Sequence, residues 1–204
     1  MKEFWNERYR QTDFVYGETP NEYLKTQLSK MTCGNILFPC EGEGRNAVYA
    51  AQLGWDVYAF DQSEEGKNKA MHLAQTKQVS IDYLVSDVEQ IPYENETFDA
   101  LVLIFAHFPN EKRRKYHQKM ASLLKKGGTL IIEGFGIQHA ELQKINPNAG
   151  GPKKIEMLYD LEALKTDFSN FEFIEEYQAE TELNEGKYHA GTAFVVRVLA
   201  IKKG

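Results

Sequence analysis

The chain has 204 residues, 42% hydrophobic and 12% aromatic, with 30 acidic and 24 basic residues giving a formal net charge of −6. That length and composition suit a single domain with a substantial core, and the acidic balance argues against nucleic acid as the main partner. The two cysteines, Cys33 and Cys40, form no redox or zinc spacing, no apolar run approaches the ~20 residues of a membrane span, and Met1-Lys-Glu-Phe-Trp5 lacks the apolar stretch of a signal peptide, so a cytoplasmic chain without a membrane partner is expected.

The first 34 residues are expected to form a helical cap in two pieces, with the aromatic turn Phe14-Val-Tyr-Gly-Glu18 between them. Thr19-Pro20-Asn21-Glu22 predicts a helix start with Thr19 as the cap. From Ile36 strands and helices alternate. Strands are expected at Ile36–Pro39, Asp56–Phe60, Ile81–Val85, Asp99–Phe105 and Thr129–Phe135, and helices at Asn46–Leu53, Glu64–Thr76 and Glu111–Leu124. The run Asp99–Phe105 is apolar enough to lie in the middle of a sheet covered on both faces. Lys126-Gly127-Gly128 is expected to be a tight turn. Gly136–Pro152 shows no period and is expected as a loop beside a site. A short helix over Asp160–Phe168 precedes two β-rich runs, Phe171–Glu182 and Thr192–Lys202, joined by Asn184-Glu185-Gly186-Lys187 as a hairpin. The fold class is α/β: a Rossmann-like, seven-stranded, mostly parallel sheet with helices on both faces and a C-terminal antiparallel β-hairpin. We expect one domain over 1–204, with 1–34 as cap or lid and 35–204 as core.

The segment Asn35-Ile-Leu-Phe-Pro-Cys-Glu-Gly-Glu-Gly-Arg-Asn46, followed by Asp61, carries the functional signal. It reads as strand, glycine turn, helix, second strand and terminal acid, an order suited to a nucleoside-containing cofactor. Gly42 and Gly44 lack Cβ, take positive φ easily and let backbone approach a ligand. The helix opening at Arg45 and Asn46 aims free N–H groups at it. Asp61 stands where a carboxylate accepts from ribose hydroxyls. Asp87, ending the third strand, is placed to read an adenine amino group, although Ser86-Asp87 is also good turn chemistry. Gly42-Glu-Gly-Arg-Asn-Ala47 fits the loose dinucleotide pattern too, so an NAD(P)-dependent oxidoreductase stays open.

Taken with Phe4-Trp-Asn-Glu-Arg-Tyr9, Tyr16-Gly-Glu-Thr-Pro-Asn21, Phe60-Asp-Gln-Ser63, Phe98-Asp99 and Leu124-Lys-Lys-Gly-Gly128, this order resembles the class I S-adenosylmethionine-dependent methyltransferases over most of the chain. It is most similar to bacterial proteins related to the tellurite-resistance and thiopurine methyltransferases. The resemblance implies S-adenosyl-L-methionine as cofactor and a small-molecule acceptor: a thiol, an oxyanion or a small amine. Glu41, Gly42 and Gly44 would wrap the methionine and ribose, Asp61 would bind the ribose, Gln62 would lie beside the adenine, and Asp87 and Val88 would face its amino group. Phe105 would sit near the sulfonium, and Tyr16 would cover the cofactor. The chain departs from the family at Phe38, where an acid is usual, and at Cys40, where the first glycine is usual; Glu41 or Glu43 would have to supply the missing carboxylate. A non-catalytic cofactor-binding module therefore also stays open. A monomer or homodimer is expected.

Methyl transfer is an in-line displacement that needs positioning, and needs a base only when the nucleophile arrives protonated. His107, just past the apolar strand, and His189, before the last strand, are the candidate bases, with His107 also a substrate contact. Each has a plain structural alternative as a corner or hairpin residue. Arg113, in Lys112-Arg-Arg-Lys115, is the candidate receiver of an anionic substrate, although a solvated helix face explains the cluster equally. The histidines show no metal spacing, and no metal is expected.

Overall fold

The fold is given by a computed structural model that describes residues 2–146 and 149–204. The cap is α1 (Lys2–Tyr9) and α2 (Glu22–Leu28). The core runs β1 (Asn35–Pro39), α3 (Arg45–Gln52), β2 (Asp56–Asp61), α4 (Glu64–Thr76), β3 (Asp82–Val85), β4 (Phe98–Ile104), α5 (Asn110–Leu123) and β5 (Leu124–Phe135). There follow α6 (His139–Ile145), α7 (Leu161–Asp167), β6 (Phe171–Asn184) and β7 (Ala190–Lys202). The strands form one 7-stranded sheet in the order β3-β2-β1-β4-β5-β7-β6. β1 to β5 pair in parallel, and β7 inserts antiparallel between β5 and β6.

Alternation along each strand builds two cores. Ile36 and Phe38 of β1 and Ala100 and Val102 of β4 pack beneath α2, α3 and α4. Leu37, Leu101 and Leu103 turn to the opposite face, under α5 and α7. Period-two alternation on strands buried on both faces gives this division directly. Phe38 is 1% exposed, so the position where the resemblance implies a carboxylate holds a core side chain.

Three local expectations are corrected. The cap of α2 is Asn21, whose side chain accepts from the Leu24 N–H, rather than Thr19. The strand expected from Thr129 begins at Leu124, and the turn expected at Lys126-Gly127-Gly128 lies inside it: the register passes from Phe98↔Leu124 to Ala100↔Thr129 with the residues between looped out and Gly127 at φ 76°. The segment after β5 contains α6, with its carboxyl end at Ile145; of the expected loop, Pro147 and Asn148 lie outside the described residues.

Topology fixes where a ligand meets the sheet. β1 and β4 are neighbours while their connections leave in opposite directions, so a crevice opens at their carboxyl ends. The glycine turn, the ends of β2 and β3, Phe105 and the hairpin tip all converge there.

Candidate functional site

The turn after β1 is a run of left-handed backbone: Cys40 at φ 55°, Gly42 at 62° and Gly44 at 88°. Cys40 shows why a glycine is usual at its position, since a Cβ there costs roughly 1 kcal/mol or more. A Cβ on Gly44 would stand 2.5 Å from Ala70 of α4, and one on Gly42 would stand 2.5 Å from the Tyr9 hydroxyl. Gly44 thus lets α3 and α4 approach each other, and Gly42 lets α1 close on the turn.

Asp61 fixes this turn from the end of β2. Its carboxylate accepts from the Gly42 N–H at 3.2 Å and the Ser63 N–H at 2.9 Å. Burial raises its carboxyl to about 6, against the pull of those N–H groups. Glu41 accepts from Asn46 N–H at 2.9 Å and Ala47 N–H at 2.8 Å, capping α3, and burial raises it to about 7. Glu43 faces the cap: it accepts from the Val15 and Tyr16 N–H groups and pairs with Lys69 at 2.8 Å. Both acidic residues of the turn therefore have structural partners in this conformation.

At the far edge, Gln62 donates to Asp87 at 2.9 Å, and Tyr116 donates to the other carboxylate oxygen of Asp87 at 3.0 Å. Val88 beside them is 3% exposed. Asp87 also caps the short helical turn Val88–Gln90, so its turn chemistry and its position at the crevice coexist.

The cap and hairpin tip close over the turn. Tyr9 is buried, stacks on Trp5 at 5.5 Å and meets Tyr16 edge-on. Arg8 donates to the Tyr16 hydroxyl at 2.9 Å and lies 4.3 Å from the Tyr188 ring. Lys187 N–H donates to Val15 C=O, tying hairpin to cap. Below lies a buried polar network. Arg45 pairs with Glu185 at 2.7 Å; Asn21 donates to Glu185 at 2.9 Å and to Glu133 at 2.6 Å; Glu133 pairs with Arg197; and Asn46 accepts from Asn21 N–H at 2.9 Å. Such a network holds only with all its members paired.

The two candidate histidines differ. His107 donates through Nδ1 to the Met157 carbonyl at 2.8 Å and accepts through Nε2 from Phe135 N–H at 3.1 Å. Burial depresses it to about 3. With both nitrogens held by backbone in this conformation, it ties β4, β5 and the segment before α7 together. His189 is 7% exposed, packed 4.5 Å from Tyr16 and 4.4 Å from Phe105. Its Nδ1 is buried with no hydrogen-bond partner, 3.5 Å from a Glu185 oxygen. Arg113 Nε donates to the buried Asp167 at 2.8 Å, and Asp167 also bonds His117 at 2.9 Å. That triad joins α5 to α7.

Sequence reading missed Tyr9, Asn21, Glu133 and Glu185. Tyr9 belonged to a recognised motif but had no assigned role, and Glu185 read as a hairpin-turn residue. Among the described residues no group of His, Cys, Asp and Glu is arranged to hold a metal, and no helix is long and apolar enough to cross a membrane.

Residues 36–128 match the family described as Methyltransferase domain. The matched segment is a little under half of the chain. The cofactor of such domains is S-adenosylmethionine, and the turn fits it: positive-φ backbone, a strand-end carboxylate at Asp61 and a second acid at Asp87. The whole fold is shared with solved structures. A protein described with the conversion of a disulfide bond into a thioacetal group during echinomycin biosynthesis superposes with a TM-score of 0.80 at 16% identity, over 100% of this chain and 92% of that one. Magnesium protoporphyrin IX methyltransferase (ChlM) from Synechocystis PCC 6803, with bound SAH, gives 0.74 at 15% identity over 99% and 98%. TehB from Haemophilus influenzae gives 0.71 at 18% identity over 99% and 67%. At these identities the likeness establishes the fold. No curated protein matches the chain.

Proposed function

We propose that the chain is a single-domain, S-adenosylmethionine-dependent methyltransferase acting on a small-molecule acceptor by in-line methyl transfer. The observation that carries this reading is the Gly42–Gly44 turn latched to Asp61 inside a segment that matches a methyltransferase domain. When bound, the cofactor supplies an activated methyl group on a sulfonium. Asp61 holds the ribose hydroxyls. Gln62, Asp87 and Val88 frame the adenine, with Gln62 free to turn from Asp87 toward it. Glu41, Gly42, Gly44 and the first N–H groups of α3 at Arg45 and Asn46 surround the methionine end. Phe105 and Tyr16 give aromatic faces to the cation. Because Phe38 is core, the methionine amino group must find its carboxylate elsewhere, and Glu41 and Glu43 are the acids nearest the turn.

The cap acts as the lid in this reading. Tyr9 packs directly on Gly42, which places α1 over the turn. The reading extends to tellurite-resistance and thiopurine-type kinship on the motifs that run from Phe4 to Gly128, and TehB shares the fold. Titration calorimetry with S-adenosylhomocysteine, with NADH as control, tests the reading. Binding of the first and not the second is expected. Binding of NADH alone would establish the oxidoreductase alternative, and binding of S-adenosylhomocysteine without turnover on any acceptor would leave a binding module.

A further inference from the structure

Asp87 follows β3 at the crevice, and its two oxygens are held unequally. Oδ1 accepts from the Glu89 N–H at 3.0 Å and from the Tyr116 hydroxyl at 3.0 Å. Among the described residues Oδ2 has one donor, the Gln62 amide at 2.9 Å. Each carboxylate oxygen accepts about two hydrogen bonds. Oδ1 is therefore filled, while Oδ2 keeps room for a donor from a ligand, and more room once Gln62 turns away.

The hydroxyl that fills Oδ1 is not local to the turn. Tyr116 stands in α5, 29 residues further along the chain, is 2% exposed and meets Phe108 edge-on at 5.3 Å. Helix residues four apart share a face, and α5 uses two adjoining rows. In one, Lys112 donates to the Tyr116 oxygen at 3.2 Å, and Lys115 pairs with Glu89 of the Val88–Gln90 turn. In the other, Arg113 and His117 share the buried Asp167 of α7. The helix is thus anchored to α7 by one row and holds the adenine end of the crevice with the other. A hydroxyl that accepts from a cation donates more strongly, because hydrogen bonds in series polarise one another. Lys112, Tyr116 and Asp87 form such a series.

We propose that Tyr116 is a positioning residue for the cofactor's base: it pins the Asp87 carboxylate so that Oδ2 meets the adenine amino group, and Lys112 strengthens the pin. This rests on the S-adenosylmethionine reading with Asp87 facing the adenine. A pinned carboxylate discriminates between bases. An amino group donates to Oδ2 in a charge-assisted bond. A carbonyl in the same place, as in hypoxanthine, sets one acceptor against another. A carboxylate free to turn escapes that clash, reaches the neighbouring N1–H of hypoxanthine, and holds the amino group less well. Loss of the pin therefore lowers selectivity, which a purely structural hydroxyl would leave alone.

Calorimetry on the full chain compares S-adenosylhomocysteine with S-inosylhomocysteine, which has a carbonyl where adenine has its amino group. The unaltered protein should prefer the first by roughly 10–100-fold, the worth of one hydrogen bond to a charged group. Tyr116→Phe removes the hydroxyl alone. It should weaken S-adenosylhomocysteine, leave S-inosylhomocysteine unchanged or tighter, and so narrow the preference by about threefold or more. Lys112→Met should narrow it in the same direction by a smaller factor, and carries the test if Tyr116→Phe does not fold. Equal affinity of the unaltered protein for both ligands, an equal loss of both in the variant, or an unchanged preference would overturn the inference. Binding of neither ligand by the unaltered protein would overturn the cofactor reading, and this inference with it.

Discussion

His107 and His189 end in one aromatic cluster, both against Phe135, at 5.8 and 5.2 Å. At the β4 corner every polar atom of His107 is paired with backbone. At the hairpin tip His189 Nδ1 stands 3.5 Å from an ionised carboxylate, Glu185, too far for a well-formed hydrogen bond; burial pushes that acid up, while the nearby imidazole and Arg45 hold it down at about 2. Satisfied buried groups specify a fold, while an unsatisfied one held in place is a candidate for chemistry. The Arg113–Asp167–His117 triad limits the contrast, because His117 also keeps a buried ring nitrogen, Nε2, without a partner. It is as charged as the hairpin network, yet it only joins two helices.

The largest expected effect breaks that triad. Asp167→Ala leaves Arg113 and His117 without their shared acceptor in a buried site, so it should cost about 3–5 kcal/mol of stability. Denaturant unfolding reads the loss, while S-adenosylhomocysteine affinity of the folded protein should hold. Weakened affinity in the folded fraction would mean that the triad belongs to the site. Next comes Asp61→Ala, which removes an ionised acceptor worth about 1.5–3 kcal/mol. Calorimetry should show affinity falling by roughly 10–100-fold, and unchanged affinity would remove Asp61 from cofactor binding. His107→Leu should unpair the Met157 carbonyl and Phe135 N–H for about 1–3 kcal/mol of stability, with kcat within a few-fold of the unaltered chain. A large kcat loss at constant stability would return His107 to the chemistry and erase the contrast.

Much of this was legible in the sequence, and the reasons are specific. The sheet followed from hydrophobic runs such as Asp99–Phe105 and from turn glycines, because strand burial and left-handed turns constrain residue type strongly. Asp61 and Asp87 were placed because strand ends are local features. The partners of Glu41, Glu43, Arg45 and Arg113 were not legible, because each is set by long-range packing: Glu43 meets Val15, Arg45 meets Glu185 and Arg113 meets Asp167. Sequence shows that a charge is present and cannot show whether a distant charge neutralises it. The same limit hid the difference between the two histidines, which have similar neighbours in sequence and opposite hydrogen-bond states in space.

The smallest expected effect is a pH dependence, and its sign separates a ligand-reading carboxylate from a purely structural one. Asp61 is raised to about 6 by burial, so in the free chain it holds a proton more firmly than in the unfolded one. Any stability that depends on this carboxyl is therefore present at low pH and lost as pH rises toward 6. Ribose hydroxyls donating to the carboxylate favour its ionised form and lower its pKa in the complex. Binding then expels the proton, and affinity for S-adenosylhomocysteine should rise up to about tenfold per pH unit from about pH 5 and level off near neutrality. Glu41 titrates near 7 and would add its own dependence, so the control is Asp61→Asn, which should abolish the portion centred near 6 and leave any from Glu41. Calorimetry in buffers of different ionisation enthalpy counts the proton released. An affinity flat between about pH 5 and 7.5 would mean that Asp61 serves only to latch Gly42 and Ser63, which would make the strand-end acid as structural as Asp167.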